Sequence, residues 1–304
     1  MSSLKTGISL YRIGQFVEGD TKRALDIVRQ ADRGGIDIVS APDHVVLATD
    51  ARDTYPLGPE NFPGSLDEPW YEPLTFLSVI AGATQRIRLS TNILIAPLRP
   101  GVLLAKTLAT LDALSGGRVE TVFGAGWLRQ EFEACGMPFD GRFTHIEEQI
   151  EVCRLLWSHA PASYSGKFIN FKDIWSFPRP AQPTLPIWLG IKPTERNCVR
   201  MGRLADGWLP DNMGPHFIRT SLASIRTEME RAGRDPAYFG VRAGLMPVFG
   251  ASGTIDFNAT FAQAHPLIEA GVTQIDAATS IVIQQVNQVP DVIGRLTELK
   301  LQFT

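Results

Sequence analysis

Cysteine is scarce in this chain, with three in 304 residues, at 135, 153 and 198. No CxxC pair and no close Cys/His cluster occurs, so a zinc site is not expected, and no other metal site is. An odd, sparse set of thiols suits a reducing compartment, and the expectation is a cytoplasmic protein. Long apolar runs are also missing. Nothing approaches the roughly 18 residues a membrane span needs. The opening MSSLKTGISLYRIG has too short an apolar run for a signal peptide. Basic excess is absent: 29 Lys and Arg stand against 32 Asp and Glu, a net charge of -3. No electrostatic footprint for nucleic acid follows from that balance. GxSxG, HExxH and Walker motifs do not occur, which removes the commonest signatures of hydrolases, metalloproteases and P-loop enzymes.

What is present is alternation. Short apolar runs at Thr6–Leu10, Ile36–Ser40, Ile87–Ile95, Val119–Phe123, Leu185–Leu189, Gly207–Pro210, Val241–Phe249 and Thr273–Ala277 read as strands. Most are continuous rather than alternating, as expected of parallel strands covered on both faces. Helical patterns lie between them. Ala24, Ile27, Val28 and Ala31 keep the i, i+3, i+4, i+7 spacing of one buried face, with Asp20 placed to cap and Gly34-Gly35 to terminate. Leu104, Thr107, Leu108 and Leu111 form another such face, and 144–157 and 217–232 read as helices too. Eight strand–helix repeats predict an α/β TIM (β/α)8 barrel, expected as one domain over 1–304. The alternative, an open doubly wound sheet, lacks an early strand–GxGxxG–helix unit. Two connections are long, 46–72 and 250–265. They follow the second and seventh strands, and in a barrel both lie at the C-terminal face, where active sites are built.

Several candidates sit at strand ends on that face. Asp43-His44 follows strand two. Histidine titrates nearest physiological pH and suits proton transfer, although a loop histidine can simply hydrogen-bond locally. Ser90, Thr91 and Asn92 are polar residues inside an apolar run, placed either to contact a ligand ring or to form a bulge. Gly124 and Gly126 follow strand four, where glycine lets a flat ligand approach the backbone or makes a tight turn. Lys192, Thr194 and Arg196 offer donors near a helix start that favours phosphate; the alternative is a solvated loop. Asp206-Gly207-Trp208 reads as a turn leading into a core aromatic. These residues point to a barrel enzyme with a phosphate-bearing ligand and leave the reaction open.

The stretches PDHVV (42–46), YEPLTFLSVIAGATQRIRLSTNIL (71–94), LLAKTLATLDALSGGR (103–118), GAGWLRQEFEACGMPF (124–139), PIWLG (186–190) and RLADGWLP (203–210) together resemble the bacterial luciferase-like superfamily of flavin and deazaflavin oxidoreductases. That family's fold is a TIM barrel. The Asp-His pair and GxGWLxxEF are most similar to the group using the deazaflavin coenzyme F420; FMN-using members share much of the 84–118 pattern. The resemblance implies hydride transfer between F420 and a small, fairly apolar organic substrate. The alternative it implies is an FMN-dependent monooxygenase that uses oxygen and a partner reductase. A non-catalytic flavin-binding barrel is a third reading.

The resemblance also implies roles. His44 would handle a proton and Asp43 would orient it. Asn92–Ile93 would be a non-proline cis peptide against the coenzyme ring. Gly124, Ala125 and Gly126 would approach the ring or its side chain, and Gly190, Ile191, Lys192 and Thr194 would lie by the phosphate. Trp70 and Trp127 would line the substrate pocket. A homodimer through helices near strands two and three is implied as well, and a flavin or F420 reductase as a partner. Two departures stand out. Gly190 is followed by Ile191-Lys192-Pro193, where many relatives carry Gly-Gly and small residues. Trp127 stands where sugar-phosphate dehydrogenases of the group have a glutamate, which argues against a sugar phosphate as substrate.

Overall fold

A computed structural model of the protein describes residues 3–62, 64–211 and 213–303. The ends of the expected 1–304 domain, and Pro63 of the first long loop, lie outside the described residues. The strands are β1 (Lys5–Ser9), β2 (Ile38–Ala41), β3 (Arg88–Thr91), β4 (Leu94–Ile95), β5 (Val119–Gly124), β6 (Ala162–Ser165), β7 (Asn170–Ile174), β8 (Ile187–Leu189), β9 (Gly207–Trp208), β10 (Gly240–Gly244) and β11 (Gln274–Ala278). The helices are α1 (Ile13–Phe16), α2 (Thr21–Arg33), α3 (Pro73–Ala83), α4 (Gly101–Ser115), α5 (Arg129–Ala134), α6 (Arg142–Ser158), α7 (Glu195–Leu204), α8 (Pro215–Arg231), α9 (Phe257–Ala262), α10 (Ala264–Glu269) and α11 (Val289–Gln302).

The strands run in the order β3-β2-β1-β11-β10-β9-β8-β5-β4, all pairings parallel, and β3 also pairs with β5. The Leu89↔Val119 and Ser90↔Glu120 pairs close the ring. Counting β3 and β4 as one interrupted strand, eight parallel strands form a TIM barrel inside a layer of helices. The periodicity behind that expectation shows in the burial. Ala24, Ile27, Val28 and Ala31 of α2 are all buried, and Asp20 accepts from the Lys22 and Arg23 amides at its start. In α4, Leu104, Leu108 and Leu111 are buried and Thr107 half-buried.

The structure departs from expectation at the edges. The third apolar run is two short strands, because Asn92 and Ile93 leave the ladder through a cis peptide bond. The seventh ends at Gly244, five residues before the expected end, where the chain turns out of the sheet. The long connection after the seventh strand is richer than a loop. Asp256 accepts from the Ala259 amide, and α9 and α10 occupy much of 250–265. The antiparallel hairpin β6–β7 belongs to none of the eight expected repeats.

The barrel interior is partly ionic. Arg242 of β10 donates to Ser90 of β3 (3.0 Å) and Gln274 of β11 (2.8 Å), and pairs with Glu120 of β5. Strands β3 and β5 are not neighbours of β10 in the ring, so the Ser90 and Glu120 contacts cross the barrel, while Gln274 stands beside Arg242 on the adjacent strand.

Candidate active site

Strand β2 ends in a fully buried stretch and delivers Pro42, Asp43 and His44 to the C-terminal face. Consecutive side chains at a strand end point to different sides, and these two part company. Asp43 turns inward. Its carboxylate accepts from Arg99 at 2.7 and 3.1 Å and from the Ile95 amide at 2.8 Å. Burial pushes the Asp43 carboxyl up from its ordinary value, while Arg99 pulls it back down. Arg99 also reaches Glu72 at 2.7 Å, and Glu72 caps α3 by accepting from the Thr75 amide.

The carboxylate beside His44 belongs to Glu131, not to Asp43. His44 Nδ1 lies 3.2 Å from Glu131 Oε2 and 3.4 Å from Oε1. Glu131 also accepts from the amides of Val45 (2.6 Å) and Val46 (3.4 Å). The expectation that Asp43 orients the imidazole is therefore corrected, because Asp43 is fully engaged by a guanidinium and an amide on the other side of the chain.

Around His44 stands an aromatic wall. Its ring is edge-on to Trp70 (centroids 5.2 Å apart) and to Trp127 (6.0 Å). Tyr55 packs on Trp127 at 5.3 Å and Tyr11 on Trp70 at 6.2 Å. Burial is the main cause pushing the Tyr11 phenol up to about 12. These groups, with Asn92, Ile93, Lys192 and Asp211, bound a cavity of about 240 Å³. Trp70 Nε1 is buried and has no hydrogen-bond partner among the described residues. An unmet buried donor is costly, about 1–3 kcal/mol. It fits a bound group that brings an acceptor.

The structure thus brings Asp43, His44, Trp70, Asn92, Ile93, Trp127 and Lys192 to one cavity. Gly124, Ala125, Gly126, Gly190, Ile191 and Thr194 are not on its wall. The glycines have a packing reason of their own. A Cβ on Gly124 would fall 1.7 Å from Ile93 Cδ1, and one on Gly190 2.5 Å from Ile93 Cγ2. Gly126 has φ +68 and faces Ile95 and Phe132. Ile191 is buried and its carbonyl accepts from Trp208 Nε1 at 3.0 Å, so Trp208 is the core aromatic its sequence suggested. Thr194 caps α7 by accepting from the Asn197 amide. Tyr11, Tyr55, Arg99, Glu131 and Asp211 escaped the sequence reading. Glu131 lies inside a quoted motif, but nothing local distinguishes a motif carboxylate facing solvent from one turned onto a histidine. Among the described residues, no group of three or more His, Cys, Asp or Glu side chains could hold a metal ion, and no helix is long and apolar enough to cross a membrane.

A parallel barrel with an aromatic-walled cavity around a carboxylate-backed histidine, on the face where barrel enzymes place their chemistry, is the class of protein that fold and site define. The chain belongs to the luciferase-like monooxygenase family, whose model matches residues 8–256. An uncharacterized protein of Mycobacterium tuberculosis is 34% identical over 182 residues, 60% of this chain and 64% of that one. The match thus spans less than two thirds of that relative's length. The FMNH(2)-dependent dimethylsulfone monooxygenase of Pseudomonas putida is 34% identical over 161 residues, 52% of this chain and 44% of that one. The structure of a coenzyme F420 dependent tetrahydromethanopterin reductase from Methanopyrus kandleri superposes with a TM-score of 0.76 over all of both chains, at 18% identity.

Proposed function

We propose that the protein is an F420-dependent oxidoreductase that moves a hydride between the deazaflavin and a small, fairly apolar organic substrate. The observation that carries this reading is the placement of His44. It stands at the foot of an aromatic cavity, backed by a carboxylate and facing the Asn92–Ile93 segment. Bound deazaflavin supplies the two-electron chemistry. The chain's own residues do the rest. Trp70, Trp127, Tyr11 and Tyr55 exclude water and hold flat apolar groups, the unmet Trp70 Nε1–H takes an acceptor atom, and His44 carries the accompanying proton. Asn92 and Ile93 form part of the coenzyme's seat. Gly124, Ala125, Gly126, Gly190 and Ile191 shape the wall behind it, and Lys192 with the Thr194-capped start of α7 faces the coenzyme phosphate. The coenzyme F420 dependent reductase of Methanopyrus kandleri shares the whole barrel.

A second reading is supported by a specific observation, the 34% identity to an FMNH(2)-dependent monooxygenase. Under it, reduced FMN from a partner reductase reacts with oxygen in the same cavity. Titration of the purified protein with F420 and with FMN, followed by tryptophan fluorescence, separates the two, because Trp70 and Trp127 border the cavity. Tight F420 binding with weak FMN binding is expected. The reverse preference, with substrate-coupled oxygen consumption, would replace the first reading with the second.

We further infer one barrel domain acting as a homodimer in the cytoplasm. The outer surfaces of α3 and α4 expose Val79, Leu103 and Leu114, which supports a helix–helix interface there. All three cysteines are free, which agrees with a reducing compartment.

A further inference from the structure

We propose that Glu131 is the positioning residue that sets the tautomer of His44, keeping the proton on Nδ1 and leaving Nε2 as the atom that meets a ligand in the cavity. Both Glu131 oxygens lie within 3.4 Å of Nδ1. Oε1 is committed to accepting, because it takes the Val45 amide at 2.6 Å and the Val46 amide at 3.4 Å. An unprotonated Nδ1 would set a lone pair against this acceptor-only group, so Nδ1 is the nitrogen that donates. The two amides held by Glu131 are those directly after His44. One carboxylate therefore fixes both the imidazole and the backbone that carries it.

The competing orienting groups are accounted for. Asp43 is held by Arg99 and the Ile95 amide. Trp70 and Trp127 meet the imidazole edge-on, with interplanar angles of 81° and 78°, and offer it no acceptor atom. Their rings also crowd the His44 side chain, which is 15% exposed, and oppose a ring flip that would exchange the nitrogens. Glu131 itself is fully buried, so its hold on Nδ1 is not diluted by solvent.

The arrangement has the logic of a carboxylate–imidazole pair in acyl-transfer enzymes, reached here in a barrel. With Nδ1–H donating to Glu131, neutral His44 accepts a proton at Nε2, and the resulting imidazolium is stabilised by the carboxylate behind it. In the opposite direction the same Nε2–H donates. Glu131 touches neither substrate nor coenzyme and acts through His44 alone.

This inference rests on His44 as the proton-handling group, but its first test does not. The chain has five histidines. Nitrogen-15 histidine spectra at about pH 8, where an ordinary imidazole is neutral, report the protonated nitrogen, with His44 assigned by its loss in His44→Gln. The proton of wild-type His44 is expected on Nδ1. In Glu131→Gln the amide oxygen keeps the Val45 amide and the new NH2 faces Nδ1, so the proton should move to Nε2. Turnover should then fall by about 10²–10⁴, with KM and coenzyme affinity within about threefold. A wild-type proton on Nε2 overturns the inference, whether or not the variant folds. So does a proton that stays on Nδ1 in Glu131→Gln, whereas a shifted tautomer with undiminished turnover would keep the tautomer assignment and remove His44 from the chemistry. Failure to bind either coenzyme would sink the functional reading instead, and would leave the tautomer result standing.

Discussion

Asp43 and Arg99 form a two-point ion pair at the mouth of the barrel, Nη1 to Oδ2 at 2.7 Å and Nη2 to Oδ1 at 3.1 Å. The pair ties the exit of β2 to the turn after β4, with Glu72 at the start of α3 as a third member. Asp43 is 4% exposed. Breaking a buried pair from one side leaves a buried charge unmet. Arg99→Met should therefore destabilise the protein by about 3–5 kcal/mol, read as a fall in the urea midpoint. A change below about 1 kcal/mol would place the pair among surface bridges of little consequence.

His44 is expected to matter for turnover and little for coenzyme binding. Replacing it with Ala should lower kcat by about 10²–10⁴, the usual worth of a positioned acid–base group. Coenzyme affinity, measured by tryptophan quenching, should change by only a few-fold. Equal turnover in the variant would remove His44 from the chemistry.

Asp276 makes stability fall as pH rises. Burial, with Glu120 nearby, pushes its carboxyl up to about 6, although Arg242 pulls the other way. Neither oxygen has a hydrogen-bond partner among the described residues. An unfolded aspartate titrates near 4. Between about pH 4 and 6 the folded state thus holds a proton that the unfolded chain releases, and this group's contribution declines across that window. It is fully present below about pH 4 and lost above about pH 6. The decline amounts to roughly 3 kcal/mol for a shift of about two pH units. Asp276→Asn should abolish it and raise stability above pH 7. Unfolding curves from pH 4 to 8 that keep the wild-type slope in the variant would refute the assignment.

Gly124 is expected to resist enlargement because of Ile93. A Cβ would lie 1.7 Å from Ile93 Cδ1. Gly124→Ala should cost about 1–3 kcal/mol, the usual penalty of overpacking, and weaken coenzyme binding by shifting the cavity floor. Adding Ile93→Ala should recover much of the stability. A double variant no better than the single one would point to the backbone rather than this contact.

Charge on the exposed face of α4 should separate subunits. Leu114 is 76% exposed and Leu103 58%. Leu103→Glu with Leu114→Glu should shift a dimer to monomer in light scattering, with the cavity histidine untouched. A monomeric wild-type protein would end the dimer proposal.

The barrel was determined by the sequence itself. Each strand is covered on both faces and so reads as a largely apolar run, interrupted by groups such as Glu120, Arg242 and Asp276 that meet inside the barrel, and each helix must bury one stripe; both demands write themselves into local periodicity. The four buried apolar positions of α2 and its Asp20 cap follow from spacing alone. So does the address of the site, since Asp43-His44 stands at a strand's C-terminal end. The partners of those residues were decided only by the tertiary structure. Glu131 is 87 positions from His44 and Arg99 56 from Asp43. Whether a side chain at a strand's end turns into the mouth or behind it depends on one step of the backbone and on what neighbouring loops bring near. The same holds for Ile93, whose packing gives Gly124 and Gly190 a reason to be glycine that local sequence does not carry. The short β6–β7 hairpin stayed hidden because half-exposed strands of four and five residues leave little hydrophobic signal.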